Sequence, residues 1–232
     1  MTPPAVPIGA RWDDEYRHGR YEAEPPLPFV QDILKILKTE GEVGADRGIY
    51  VGCGNGRNYL SLIDAGARLH GLDVSEEAIT RLAGRRPSQP LSLVVGDFRS
   101  YRGEAPFGYL IAIQVFQHGN DEDASCYFRK TAEILRPGGF FFLRVNSSAT
   151  EIHRRHTVLE RNPFGGFTIQ YDEGPKRGVA VHFYSAAELA ERTKDAFELI
   201  MAPRQDVIRR AAPETGTWAQ WEAIWRKRLA AS

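Results

Sequence analysis

The sequence has few cysteines, no surplus of either charge and no long apolar run. Cys53 and Cys126 are the only two cysteines among 232 residues. Two thiols cannot form a structural zinc site by themselves, and the count does not fit a disulfide-stapled secreted domain. Lys and Arg together number 30, as do Asp and Glu. Because a protein that grips a phosphate backbone usually has a basic surplus, nucleic acid is not the leading substrate.

Signals for secretion and membrane insertion are also missing. Residues 1–7 lack the basic-then-apolar pattern of a signal peptide. No uninterrupted apolar run approaches the roughly 20 residues that cross a bilayer. We therefore expect a cytoplasmic protein with no membrane segment and no metal site. The hydrophobic content of 42% fits an ordinary globular chain.

The most informative segment is rich in glycine. Residues 48–58 read Gly-Ile-Tyr-Val-Gly-Cys-Gly-Asn-Gly-Arg-Asn, which is typical of an apolar strand that runs through a glycine turn into a helix. Farther on, a second predicted strand over residues 68–73 ends at Asp73. A glycine turn lets a ligand lie against bare backbone, and an acid at the tip of the next strand can accept hydrogen bonds from two ribose hydroxyls. Together, the glycine turn and Asp73 predict a cofactor that carries a nucleoside.

The spacing of the glycines narrows the class of cofactor. A dinucleotide site usually reads G-x-G-x-x-G, whereas Gly52, Gly54 and Gly56 follow the pattern G-x-G-x-G. Asp73 follows at a distance that both cofactor classes accept. The compact pattern, followed by Asn58, resembles motif I of the class I S-adenosylmethionine (SAM) dependent methyltransferases. In that resemblance Asp73 matches the ribose-binding acid. A nicotinamide-dependent oxidoreductase is the rival enzyme class.

Strand and helix patterns alternate through the middle of the chain. Strands are predicted at 49–52, 68–73, 91–95, 109–115 and 140–145, with helices at 29–37, 57–65, 76 onward after a Ser75 cap, and 123–135. After strand five, the β-like runs 167–171 and 179–184 read as an inserted hairpin. A helix at 186–193 follows, then strands at 197–201, continuing toward 208, and at 218–225, whose aromatics would also fit a helix. The alternation predicts an α/β fold with a doubly wound, mostly parallel sheet.

Three further stretches extend the resemblance. Asp97 and Phe98 follow strand three, where the carboxylate would accept from an adenine amine and the ring would cover its face; the alternative is an Asp that caps the turn. Residues 113–118 end strand four at the position of motif IV, without the Pro-Pro-Tyr or Pro-Pro-Phe sequence of base N-methyltransferases. Residues 135–139, Leu-Arg-Pro-Gly-Gly, resemble a turn that precedes strand five in many small-molecule enzymes. The chain thus resembles the type 11-like small-molecule branch, and more loosely the thiopurine and tellurite-resistance methyltransferases.

The resemblance implies a Rossmann-like methyltransferase fold with seven strands in one domain, residues 1–232. It assigns residues 146–184 to an insert over the acceptor. Residues 1–28 would be an N-terminal lid that packs on the protein and contains neither a core strand nor a long helix. Predicted cofactor contacts are Tyr16, Gly52, Cys53, Gly54, Asn55, Asn58, Asp73, Val74, Asp97, Phe98, Gln114 and Val115. Predicted substrate contacts are Trp12, Tyr21, His153, Arg154, Tyr171 and Tyr184.

The resemblance also implies a reaction. A nucleophilic O, N or S atom of a small molecule would attack the methyl group of SAM in line. His118 and His182 are candidate bases, which only acceptors of high pKa would need. The alternative for His118 is a surface or helix-capping histidine. His182 lies within an apolar alternation, so its side chain would face either the pocket or the core edge. Two other functions stay open: a catalytically silent SAM-binding partner subunit, and an RNA methyltransferase recruited by a partner. The sequence does not indicate an oligomeric state.

Overall fold

The computed structural model describes residues 8–22, 24–40, 44–88, 91–174, 176–212 and 215–229. The chain divides into two compact units, residues 1–109 and 110–232, and the boundary falls within the fourth strand. Across the described residues, no helix combines the length and apolar character needed to cross a membrane.

The first unit contains four helices and the first strands of the large sheet. In chain order its elements are α1 (Ile8–Arg17), α2 (Phe29–Thr39), β1 (Arg47–Val51), α3 (Tyr59–Asp64), β2 (Arg68–Asp73), α4 (Glu76–Gly84), β3 (Ser92–Val95) and a 3-10 turn (Phe98–Ser100). Strand β2 pairs in parallel with both β1 and β3, so that Leu72 lies opposite Val51 and Asp73 opposite Val95.

The second unit holds the remaining elements. They are β4 (Phe107–Ile113, which begins in the first unit), α5 (Asp121–Ile134), β5 (Leu135–Asn146), β6 (His156–Arg161), β7 (Phe167–Tyr171), β8 (Ala180–Phe183), α6 (Ala186–Thr193), β9 (Phe197–Arg209) and β10 (Thr217–Lys227). Strand β10 pairs antiparallel with both β5 and β9.

The large sheet has the strand order β3-β2-β1-β4-β5-β10-β9. This order confirms the predicted doubly wound, mostly parallel sheet of seven strands. It also resolves the last aromatic segment, Thr217–Lys227, as a strand rather than a helix. Strand β4 is buried along its whole length, as expected for a strand covered on both faces of an α/β sheet.

Side-chain caps set the starts of two helices. The Ser75 hydroxyl accepts from the Ala78 N–H at 3.0 Å, which confirms the predicted cap of α4. Helix α5 begins two residues before the predicted start because Asn120 and Asp123 form a capping box, with bonds of 2.9 and 3.0 Å. Acids in the first turn favour the positive end of the helix dipole.

Residues 8–17 form a short helix of 10 residues, which the sequence pattern did not indicate; only Tyr16 of that helix is buried, and tertiary contacts compensate for its weak apolar stripe. Two predicted boundaries were wrong. The insert holds a three-stranded sheet, β6-β7-β8, rather than a hairpin. Strand β5 begins at Leu135, so the Arg-Pro-Gly-Gly sequence lies at the start of the strand and not in a turn before it.

Candidate functional site

The glycine loop in the first unit has a backbone that only glycine adopts readily. Gly52, Gly54 and Gly56 have φ angles of 70°, 54° and 97°, in the region that disfavours a side chain. The N–H groups of Gly52 and Cys53 donate to the Leu72 carbonyl at 2.7 and 3.2 Å. The spacing of the glycines is therefore required by a tight loop fastened to the end of β2.

Asp73 joins the tip of β2 to this loop. Its Oδ2 accepts from the Gly54 N–H at 2.8 Å and its Oδ1 from the Ser75 N–H at 2.9 Å. Burial raises the pKa of this carboxyl, and the backbone donors oppose that effect only in part. Since each carboxylate oxygen has two acceptor sites, both oxygens can still accept from a pair of ribose hydroxyls. The donor and acceptor set therefore fits a nucleoside.

Helix α1 lies against the same loop. A Cβ on Gly9 would approach the Val74 carbonyl oxygen to 2.6 Å, so α1 packs there backbone to backbone. Asp13 accepts from the Ser75 hydroxyl at 2.6 Å and from the Glu77 N–H at 3.1 Å. The Tyr16 hydroxyl would be 2.5 Å from a Cβ on Gly54. The predicted positions Val74 and Tyr16 are thus both part of this junction.

Asn55 and Asn58 fasten the segment that follows α1. The side-chain amide of Asn55 donates to the Arg20 carbonyl at 3.0 Å, and the Leu27 N–H donates to Asn58 Oδ1 at 2.9 Å. Both asparagines are buried. Asn55 Nδ2 and Asn58 Oδ1 therefore form hydrogen bonds within the protein and hold the segment in place, a structural role that the glycine pattern did not predict.

Cys53, Asp97 and Phe98 have local roles in the first unit. The Cys53 thiol is buried, which raises its pKa and keeps it neutral. Burial would also raise the pKa of Asp97, but hydrogen bonds from Arg99, including its N–H at 2.9 Å, lower it. Asp97 therefore caps the 3-10 turn, the alternative raised by the sequence, and its adenine contact stays a prediction. The Phe98 ring lies in the core.

Trp12 and Tyr21 surround one cation. The Arg20 guanidinium carbon lies 5.8 Å from the centre of the Trp12 ring and 4.7 Å from that of Tyr21. The Arg20 Nη2 also donates to the Tyr21 hydroxyl at 3.1 Å, and the guanidinium forms an ion pair with Glu15. These contacts explain why the N-terminal segment packs on the protein. A role in binding substrate stays a prediction for both rings.

In the second unit, the tip of β4 carries a strained residue. Gln114 has φ of 61°, an unusual value for a residue with a side chain and one that is often found at functional sites. Its N–H donates to the Arg144 carbonyl at 2.8 Å and its side chain to Gln220 Oε1 at 2.9 Å. The predicted contact Val115 follows directly and is half-buried.

Arg144 supports this tip from within the sheet and was missed by the sequence analysis. It is 1% exposed; its Nε donates to Gln220 Oε1 at 2.7 Å, and it forms ion pairs with Asp206 and Glu222. The signal for such a residue is present in the sequence, because an arginine interrupts the aromatic and aliphatic run of β5. Nothing in that run indicates the acids, which come from β9 and β10.

The loop after β4 is held by the last strand of the insert. His118 forms an isolated β-bridge with Val181. The Gly119 N–H donates to the Ala180 carbonyl at 3.1 Å, and the His182 N–H donates to the Gln117 carbonyl at 2.8 Å. The His118 side chain is half-buried, and its role as a base stays a prediction.

Two predicted site residues are corrected by the structure. His182 is 1% exposed, and its ring nitrogens lie 2.8 Å from Thr168 Oγ1 and 2.8 Å from Glu188 Oε1. Tyr184 is fully buried and its hydroxyl donates to the Phe116 carbonyl at 2.5 Å. Burial raises the pKa of Tyr184 far above its usual range. Because their polar atoms are bound to the protein, neither residue can contact an acceptor directly.

The remaining insert positions lie near the surface. His153 is exposed, whereas Arg154 and Tyr171 are half-buried. Tyr171 pairs with His156 across β6 and β7, and the Arg154 guanidinium lies against Gly174. Their contact with substrate stays a prediction.

Comparison with known proteins adds independent information on the family. A family model described as a methyltransferase domain matches residues 49–139. Cypemycin N-terminal methyltransferase from Streptomyces is 26% identical over 73% of this chain and 64% of its own length. The ubiquinone biosynthesis O-methyltransferase of Bordetella bronchiseptica is 26% identical over 67% of this chain and 59% of its own length. The chain thus spans less than two thirds of the length of these curated relatives.

Solved structures agree with this match at the level of the fold. The 1,6-didemethyltoxoflavin-N1-methyltransferase of Burkholderia thailandensis, solved with its substrate and S-adenosylhomocysteine, superposes with a TM-score of 0.63 at 20% identity. The superposition covers 98% of this chain and 93% of that one. The matched region contains the glycine loop, Asp73 and β4. Residues 49–139 are therefore similar to a methyltransferase domain, and the chain has the fold of solved methyltransferases.

Proposed function

We propose that this chain binds SAM and transfers its methyl group to a nucleophilic atom of a small molecule. The observation that carries the proposal is the buried Asp73 carboxylate, which bonds both the glycine loop and the start of α4 while it keeps acceptor sites for a ribose diol. The bound cosubstrate supplies an activated methyl group on a sulfonium. The residues of the chain then have to align the acceptor and exclude water.

Helix α1 is suited to excluding water. Its contacts with Val74, Ser75 and Gly54 place it directly over the loop that would hold the nucleoside. Such a cover would protect the sulfonium from solvent and favour in-line attack by a bound acceptor. Trp12 and Tyr21 of the first unit are proposed contacts to the acceptor. For His153, Arg154 and Tyr171 of the insert, contact with the acceptor stays a prediction.

We assign the acceptor atom to nitrogen or oxygen. The curated relatives are named as an N-terminal methyltransferase and an O-methyltransferase. His118 is the base that we propose for acceptors that must lose a proton, since its ring is half-buried on a loop held in place by β8. An imidazole nitrogen can accept such a proton.

Calorimetry with S-adenosylhomocysteine and with NAD tests the cofactor class. Saturable binding of S-adenosylhomocysteine is expected, and binding of NAD instead would overturn the proposal. A methyl-transfer screen over amines, phenols, thiols and carboxylates then tests turnover. A catalytically silent SAM-binding subunit would bind S-adenosylhomocysteine and yield no methylated product in that screen.

A further inference from the structure

The second unit contains a buried group of charged residues that methyl transfer does not use. His182 of β8 lies at its centre, and we call this group the His182 cluster. Its other members come from every element packed around that ring: Thr168 of β7, Glu160 of β6, Asp121 of α5, and Glu188 and Arg192 of α6.

The hydrogen bond to Thr168 fixes a proton on one ring nitrogen of His182. The Thr168 hydroxyl has a single hydrogen, which it donates to Glu160 Oε1 at 2.8 Å. Its oxygen lies 2.8 Å from His182 Nδ1 and can therefore only accept there. His182 Nδ1 must carry a hydrogen.

The second ring nitrogen faces a carboxylate. His182 Nε2 lies 2.8 Å from Glu188 Oε1, and the same oxygen accepts from Arg192 Nε at 2.7 Å. Burial would raise the pKa of Glu188, but its contacts with His182 and Arg192 lower it. An ionised carboxylate has no hydrogen to give, so His182 Nε2 must carry one as well.

The balance of charge in the cluster agrees with a protonated ring. Arg192 also pairs with Asp121 at 2.5 Å, while Glu160 Oε1 accepts from the Asp121 N–H at 2.7 Å. A neutral His182 would leave three carboxylates facing one guanidinium. Ligand atoms of Asp121, His182 and Glu188 lie within 4.8 Å of one another, a spacing that would also suit a metal ion. In this structure the Arg192 guanidinium donates hydrogen bonds to the carboxylates of both Asp121 and Glu188, so a cation of the protein already lies beside them.

The backbone of the same residue holds the loop that carries His118. The His182 N–H donates to the Gln117 carbonyl at 2.8 Å, and the neighbouring Val181 forms the bridge to His118. The His182 side chain is bonded to β7 and α6 directly, and to β6 and α5 through Thr168 and Arg192, so it also fixes the strand to which this loop is bound. The cluster is a direct mechanical link between α6, the insert and the His118 loop.

We propose that His182 is an imidazolium at neutral pH and acts as a positioning residue, which fastens β8 and the His118 loop to α6 and to the rest of the insert. The role assigned to His118 at the acceptor rests on the proposed function. The protonation state of His182 rests only on the hydrogen bonds around its ring.

Nitrogen NMR of the full-length protein labelled with 15N-histidine tests the protonation state. The His182 ring is assigned from the signals that disappear in His182→Asn. At pH 7 both of its nitrogens are expected to show an attached hydrogen, whereas an exposed imidazole is mostly neutral there. A single bare ring nitrogen at pH 7 would overturn the proposal.

Glu188→Gln, with Glu191→Gln as its matched control, tests the positioning role. Both residues lie on α6, but Glu191 pairs only with the exposed Lys194 among the described residues. Removing the charge of Glu188 should return His182 to a neutral ring at pH 7. Amide hydrogen exchange at residues 117–119 and 180–182 should become about tenfold faster. Glu191→Gln should match the wild type in both measurements.

The same variants separate this proposal from the proposed function. S-adenosylhomocysteine should bind Glu188→Gln as it binds the wild type, because Asp73 and the glycine loop lie in the first unit. Unchanged ring protonation and unchanged exchange in a folded Glu188→Gln would refute the positioning role. Failure of the wild type to bind S-adenosylhomocysteine would refute the proposed function and leave the NMR result standing. If Glu188→Gln does not fold, the wild-type ring spectrum still decides the proposal.

Discussion

Among individual side chains, Asp73 should matter most for cofactor binding. Asp73→Ala is expected to weaken binding of S-adenosylhomocysteine by about 1–3 kcal/mol, because the ribose hydroxyls lose a charged acceptor. Asp64→Ala is the matched control, since Asp64 is an exposed acid that pairs with Arg86. Isothermal titration calorimetry measures both. Equal affinities of a folded Asp73→Ala and the wild type would contradict the placement of the ribose.

The raised pKa of Asp73 predicts a pH dependence with a definite sign. The ionised carboxylate is the stronger acceptor, so affinity for S-adenosylhomocysteine should be full above this pKa and fall as pH falls through it. The contribution of Asp73 to the free energy of unfolding has the opposite dependence on pH. A folded-state pKa above the unfolded value favours folding at low pH, and this contribution is lost as pH rises through the folded pKa. Titrations from pH 4 to pH 8 should show the affinity slope in the wild type and a flatter line in Asp73→Asn.

Arg144 should be the most costly arginine to remove in the second unit. Arg144→Met removes the buried cation from the partly buried Asp206 and from the buried Glu222, which keeps only its pair with the more exposed Arg204. The free energy of unfolding is expected to drop by about 3–5 kcal/mol, as when one partner of a buried ion pair is lost. Urea denaturation measures the change, and the exposed Arg129→Met provides the control. A loss below 1 kcal/mol would show that the pairs are weakly coupled to folding.

Helix α1 is the element whose attachment is most accessible to mutation. Asp13→Ala removes the acceptor for the Ser75 hydroxyl and the Glu77 N–H, which should cost about 1 kcal/mol of stability. It should also speed amide exchange in α1 and lower the affinity for S-adenosylhomocysteine. Asp14→Ala, one position away and exposed, is the control. If both variants behave alike, α1 is not held through Asp13.

Elements with their own local signal were predictable from the sequence. The glycine loop, the Asp73 tip and the Ser75 cap each depend on residues adjacent in the chain, and all three were predicted. Helix α1 and strand β6 depend on distant partners. The exposed side chains of β6 give no apolar alternation, and its register with β7 is that of a backbone ladder. Tertiary context decided both elements, and neither pattern contained it.

The His182 cluster illustrates the same limit for a site. His182 stood out in the sequence as a polar residue in an apolar alternation, which left its side chain facing either a pocket or the core edge. Its partners come from two helices and two other strands, at no fixed spacing. A base and a buried cation look identical in a sequence, because only the neighbours of the ring decide its protonation.

For the molecule as a whole, ligand binding should appear as thermal stabilisation. S-adenosylhomocysteine at 100 times its Kd should add about 2.7 kcal/mol to the free energy of unfolding. For a chain of this length that corresponds to a rise in Tm of roughly 5–10 °C. Differential scanning fluorimetry measures the shift, with NAD at the same concentration as the control. Equal shifts with the two ligands would argue against a specific nucleoside site.

The architecture of the large sheet, doubly wound and mostly parallel with seven strands, was the most predictable property of the chain. Each strand from β1 to β5 has enough apolar residues to mark it, and the β-α alternation leaves few possible topologies. The position of β10 between β5 and β9 was not predicted. It depends on antiparallel pairing at the end of the chain, where the alternation no longer constrains the order.

The contact between Gly9 and the Val74 carbonyl has a practical consequence for producing this protein. A purification tag or fused reporter placed ahead of α1 would lie on the side of the helix that packs against Val74, and we expect it to lower the apparent affinity for S-adenosylhomocysteine. Leu229 is strongly exposed at the other end of the described chain. A fusion there leaves the α1 junction undisturbed and is the better choice for measuring ligand binding.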